Sequence, residues 1–178
     1  MTPPTMTPHF EVPSAEDLRV ATRQLGRPAR GVLGIAARCA CGAPAVLATR
    51  PRLADGTPFP TLYYLSLPSA VVAMSTLEAT GAMSRWQAAL AADPDLAARY
   101  AQAHAAYLAD RASIESVPEI DGISAGGMPT RVKCLHALAA HALAAGPGVN
   151  PIGDLALAET SWSIEVCECA SDDSEGPQ

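Results

Sequence analysis

Hydrophobic positions recur in two rhythms along the chain, and the change between them divides it. Residues 14–26 carry Val20 and Leu25 among arginines, behind a Ser14/Asp17 pair with capping-box spacing and ahead of Gly26 and Pro28. This predicts a short helix. Between 32 and 66 the apolar residues come in short runs, "VLGIAAR", "AVLAT" and "TLYYLSL", separated by "CACGAP" and "PRLADGTPFP". Short runs bounded by Gly, Pro and Asp are the mark of strands and turns. A small antiparallel sheet of two or three strands is expected, with Cys39 and Cys41 at its first turn. From residue 69 the period becomes helical. "SAVVAMSTLEATG" stops at Gly81, "SRWQAALAA" follows, and Asp93-Pro94 opens a long amphipathic helix. In that helix Leu96, Tyr100, Ala103, Tyr107 and Ile114 recur at steps of three or four, with one gap. Residues 117–128 read as a loop with Gly122, Gly126 and Gly127. Pro129 is predicted to start another helix, "PTRVKCLHALAAHALAAG", ended by Gly146. "GPGVNPIGD" reads as a rigid loop and "LALAET" as a short helical turn.

These elements predict one α+β domain over residues 14–160, a small antiparallel β element carrying Cys-x-Cys packed on four or five α-helices. Residues 1–13, with four prolines, are expected to be disordered, and residues 161–178 to form an acidic, flexible tail. At Tyr63-Tyr64, strand alternation turns one ring inward and the other outward.

Composition narrows the function classes. The net charge of −6 argues against a general nucleic-acid binder, which needs a basic domain. The charge is uneven, however: residues 1–52 hold seven arginines against three acids, and residues 154–178 hold seven acids and no basic residue. No apolar run approaches the ~18 residues of a membrane span, and "MTPPTMTPHFEVPS" lacks the basic and apolar regions of a secretory leader. A cytoplasmic protein is expected, and with it reduced thiols. The odd count of five cysteines agrees, since it does not suit a disulfide framework.

The chemistry therefore centres on the cysteines. Cys39 and Cys41, in an extended pair, point to one side with Cα atoms about 6.5 Å apart, near the outer limit for a disulfide. A zinc ion or an iron–sulfur cluster tolerates that spread, and Gly42 lets the backbone turn toward a thiolate. Further ligands must come from elsewhere. On a helix begun at Pro129, Cys134 and His141 share a face to within about 20°, but about 10.5 Å of rise separates them. They cannot readily chelate one ion together. Cys134 is the expected third ligand. His141 is a candidate for the fourth place, as are His136, about 200° from Cys134 on the same helix, and either Cys167 or Cys169 of the tail's "CEC". The metal expected of Cys39, Cys41, Cys134 and His141 is zinc or an iron–sulfur cluster.

Two other readings stay open. "GGMPTRVKC" sets Gly126 and Gly127 before the predicted helix start, with Arg131 and Lys133 adjoining; this could bind a phosphate or carboxylate. Cys134 would then be a nucleophile, with His136 or His141 as base. The segment matches neither a Walker A loop nor a Cys-x-x-x-x-x-Arg loop. Asn150 and Asp154 would complete a pocket or cap the following helix. The alanine-rich amphipathic helices also suit a module that binds a protein partner.

"RCACGAP", "DGTPFPTLYYL", "SAGGMP-x-RVKCLHALAAHALA" and "GPGVNPIGD", in this order, resemble the actinobacterial family called domain of unknown function 501. The resemblance runs from about Leu18 to Asp154. Ala40 stands where that family commonly carries proline. The resemblance implies no particular activity.

Overall fold

In the computed structural model, which describes residues 10–169, three antiparallel strands form a sheet in the order β1-β2-β3. They are β1 (Val32–Arg38), β2 (Pro44–Thr49) and β3 (Tyr63–Leu65). Ile35 pairs with Leu47, Arg38 with Pro44, and Leu47 with Tyr64. The central strand β2 is buried along its whole length, which explains its unbroken apolar run. Its side chains alternate between two packing layers, as strand geometry requires. Leu47 joins Ile35 and Ala21 on one side, while Val46, Tyr63 and Leu65 belong to the main core. Tyr64 is half-buried in the smaller layer, so the two tyrosines do divide between the faces. Glu11 adds an antiparallel bridge to Ile35.

Six α-helices accompany the sheet among the described residues: α1 (Ala15–Leu25), α2 (Pro68–Ala79), α3 (Ala82–Ala92), α4 (Pro94–Ile114), α5 (Leu135–Ala145) and α6 (Pro151–Glu159). The fold is α+β, with one helix more than the upper sequence estimate. Local signals account for most of the boundaries. Ser14 and Asp17 form a complete capping box on α1, and Gly26 closes the helix at φ 65°. Asp93 caps α4 through Asp95 N–H and Leu96 N–H. The gap in the α4 stripe is filled by Arg111, which is buried and donates to Pro60 O (2.8 Å) and Ile120 O (2.7 Å).

Two boundaries differ from expectation. Helix α5 starts at Leu135, not Pro129. The preceding residues satisfy their backbone groups elsewhere: Gln87 accepts from Val132 N–H and donates to Thr130 O, and Tyr100 Oη donates to Arg131 O. Tertiary partners thus take the groups a helix would have used. Helix α6 starts at Pro151, inside the stretch read as a loop, because the buried Asn150 side chain accepts from Gly153 N–H as its N-cap. Gly153 lets α6 lie against α5. A Cβ there would overlap Leu138 O and stand 2.8 Å from Ala142 Cβ. Gly153→Ala is therefore expected to cost about 2 kcal/mol, or about 6 °C in Tm, by thermal and chemical unfolding. An unchanged Tm would mean that the two helices can part without cost.

Residues 161–169, assigned from sequence to the flexible tail, lie against the body. Trp162 is buried and its Nε1–H donates to Ser69 Oγ (2.9 Å), while Ile164 O accepts from Ala40 N–H (3.0 Å). The expectations for residues 1–9 and 170–178 lie outside the described residues. Among the described residues no helix is long and apolar enough to cross a membrane.

Candidate metal centre

The chain leaves β1 at Arg38 and reverses within a few residues. Cys39 N–H donates to Ala43 O (2.9 Å) and Gly42 N–H to Cys39 O (2.8 Å), with Gly42 at φ 90°, a conformation costly for any other residue. This tight turn presents Cys39 and Cys41 together. Opposite it stands the segment anchored by Trp162. The bond from Ala40 N–H to Ile164 O sets the spacing, and Val166 N–H closes a turn onto Ser163 O (3.2 Å). The chain then delivers Cys167 and Cys169 to the hairpin.

The four Sγ atoms lie within 4.8 Å of one another. Cys169 Sγ is 3.6 Å from Cys41 Sγ and 3.8 Å from Cys39 Sγ. These separations are far beyond a disulfide bond of about 2.05 Å, and all four thiols are free. They match the edge of a tetrahedron of sulfurs around one ion at 2.3 Å, which is about 3.8 Å. Four close cysteines in this arrangement can hold a metal ion. Cys39 is buried, Cys169 half-buried, and Cys41 and Cys167 exposed, so an ion can arrive from solvent.

The thiols are unequal. The N–H of Ala43 is the main influence that brings the Cys41 thiol down to about 7, with its sulfur neighbours helping against burial. Burial pushes Cys39 and Cys169 up, and for Cys169 the surrounding thiols add to the rise. A cation bound to the four sulfurs would replace the protons of the buried thiols, since metal ligation takes the thiolate form.

Of the residues selected from sequence, Cys39 and Cys41 stand in this group and Cys134 and His141 do not. Cys134 is the N-cap of α5 and lies beside His136 and Glu78. His141 is fully buried between Tyr63, stacked at 5.8 Å, and Tyr107, edge-on at 5.1 Å, and its Nδ1 receives Asn150 Nδ2–H (3.1 Å). The partners of Cys39 and Cys41 are Cys167 and Cys169, and the repeated Cys-x-Cys spacing was the signal for them. Gly126, Gly127, Arg131 and Lys133 precede a helix N-terminus that begins only at Leu135. The N–H groups of Arg131, Val132 and Lys133 are engaged with Gly127 O, Gln87 Oε1 and Gly126 O. The two glycines serve close packing: a Cβ on Gly126 would meet Leu138 Cδ2 at 2.5 Å, and one on Gly127 would meet Arg131 O at 2.6 Å. Asn150 caps α6, and Asp154 accepts from Gly148 N–H (2.8 Å).

Comparison with known proteins gives one family. A model described as "Protein of unknown function (DUF501)" matches residues 35–158. No curated protein and no solved structure matches the chain.

Proposed function

The chain belongs to the DUF501 family, and we propose that it is a metal-binding protein in which one zinc ion on Cys39, Cys41, Cys167 and Cys169 fastens the C-terminal segment to the β-hairpin. The observation that carries this reading is the sulfur spacing of 3.6 and 3.8 Å within a set no wider than 4.8 Å. Thiolates on different irons of a cluster are held more than about 6 Å apart by the intervening sulfides, so the spacing favours a mononuclear ion. An all-sulfur tetrahedral set selects zinc among the common divalent ions. With four protein ligands the site is closed, which makes its role structural. The ion supplies what the hairpin and the segment lack by themselves: a strong link between residues 128 positions apart in sequence.

Metal analysis of untagged protein, purified without chelator, tests the reading. One equivalent of zinc is expected to disappear in Cys41→Ser and in Cys169→Ser. Zinc content unaffected by both substitutions would refute the proposal. A brown colour with visible absorption would show iron in its place.

A further inference from the structure

A second convergence of ligand atoms lies at the N-terminus of α5. Glu78 comes from the end of α2, Cys134 is the N-cap of α5, and His136 stands in its first turn. The late start of α5 creates this pairing. On a helix begun at Pro129, Cys134 and His136 would diverge by about 200°. With Cys134 extended at φ −152°, both side chains turn to Glu78.

His136 Nδ1 is 3.2 Å from Glu78 Oε1 and 4.0 Å from Cys134 Sγ, and one ligand atom from each of the three residues falls within a 4.8 Å group. The other ring nitrogen, Nε2, lies 3.2 Å from Val71 O and 3.1 Å from Ser75 Oγ. A carbonyl oxygen only accepts, so the bond to Val71 puts the ring proton on Nε2. In the neutral ring, Nδ1 then directs a lone pair at a carboxylate and a sulfur. Three electron-rich atoms facing one another need a proton or a cation between them: the thiol's own proton, a second proton on the ring, or a metal ion.

The surroundings favour the metal. Ligating histidines donate their other N–H to a backbone carbonyl or carboxylate, as His136 does to Val71 O, and ligating carboxylates are themselves hydrogen-bonded. Glu78 Oε1 accepts Leu135 N–H at 2.7 Å. Cys134 and His136 line a cleft of about 430 Å³ whose walls include Tyr63, Tyr64, Leu65 and Val71. The side chains of His136 and Glu78 are about one quarter exposed (27% and 24%), so an ion can enter. Burial pushes the Cys134 thiol up, but the His136 ring and the Ala137 N–H outweigh it and leave the thiol below its ordinary value.

We propose that Glu78, Cys134 and His136 bind a second divalent transition-metal ion, zinc in the first instance, through carboxylate oxygen, Sγ and Nδ1, with the fourth position open to the cleft. Three protein ligands with mixed S, N and O donors and an open position distinguish this site from the closed tetrathiolate set. Water or the oxygen of a small molecule in the cleft would take the remaining position.

Zinc stoichiometry of the full chain tests this. The wild type is expected to bind two equivalents, and Cys134→Ala and His136→Ala one each. If the tetrathiolate reading alone fails, the wild type binds one equivalent that survives Cys41→Ser and is lost in Cys134→Ala. Should the variants fold poorly, the wild type suffices: zinc is expected to slow alkylation of Cys134 by iodoacetamide at least about tenfold, since a bound thiolate is a poor nucleophile. The rate is read at Cys134 by peptide mass spectrometry. Wild-type stoichiometry in both variants, or an alkylation rate indifferent to zinc, would overturn the proposal and leave the three groups joined by protons alone.

Discussion

Cys169→Ser is expected to weaken zinc binding at the tetrathiolate set by a factor of about 100 or more. Structural zinc sites bind with about 10–16 kcal/mol at neutral pH, which is roughly 3 kcal/mol for each of four ligands. A decade of affinity corresponds to about 1.4 kcal/mol. Cys169 is the informative position because its sulfur sits close to both Cys41 and Cys39. Competition with a chromophoric chelator gives the affinity, and equal values for wild type and variant would sink the assignment. The damage should stay local. Of the four cysteines only Cys39 belongs to the main core, and fully buried members of that core such as Tyr100, Tyr107, Leu138 and Met74 stand on α4, α5 and α2, not on the hairpin or the C-terminal segment. Zinc removal should therefore leave far-UV circular dichroism nearly unchanged while hydrogen exchange at the Ala40 amide accelerates, because that amide is bonded to Ile164 O.

Acid should destabilise the fold through His141. Asn150 Oδ1 accepts Gly153 N–H, which orients the amide so that Nδ2 donates to His141 Nδ1. The ring proton must then sit on Nε2, which is buried with no partner among the described residues. A second proton would displace the Asn150 bond and place a charge between two tyrosine rings. Burial accordingly lowers the His141 pKa from 6.5 to about 4. The unfolded chain takes up a proton below about 6.5, and the folded chain resists until about 4. The His141 contribution to stability is therefore constant above this window and falls as pH drops through it, by about 3 kcal/mol at ~1.36 kcal/mol per unit. Urea unfolding at pH 7 and pH 4.5, with chelator present throughout to remove the contribution of zinc, measures the loss. His141→Gln keeps an acceptor for Asn150 and does not titrate, so its stability should depend less on pH. Equal pH dependence in the two proteins would place the acid sensitivity elsewhere.

The tetrathiolate set was half legible in the chain. Cys39-Ala40-Cys41-Gly42 carries its own turn chemistry, so its place at the first hairpin followed from spacing. Cys167 and Cys169 were visible as an echo of that spacing. Their approach, however, depends on Trp162 and on one bond between Ala40 and Ile164, which no local pattern announces. Spacing alone favours Cys134 as the partner, because Pro129 reads as the start of α5. Glu78 carries no signal in the sequence, since a glutamate near a helix end is ordinary until another helix brings a cysteine and a histidine to it. Arg111 was equally hidden. Its burial depends on Pro60 O and Ile120 O, carbonyls far from it in sequence or outside its helix.

Local physics settles much of this protein without reference to its tertiary packing. A capping box at Ser14, a proline after Asp93 and a positive-φ glycine at Gly26 or Gly42 act within a few residues, so the chain alone specifies most of its helices, its hairpin and the α+β class. Backbone groups that find distant partners obey no such rule. Gln87 and Tyr100 hold residues 130–132 out of a helix they would otherwise join, and that delay of α5 turns Cys134 toward His136 and Glu78. Which thiols meet was likewise decided by packing, because a sulfur's neighbours depend on where whole segments dock, and docking is governed by buried area and long-range hydrogen bonds that sequence spacing does not encode.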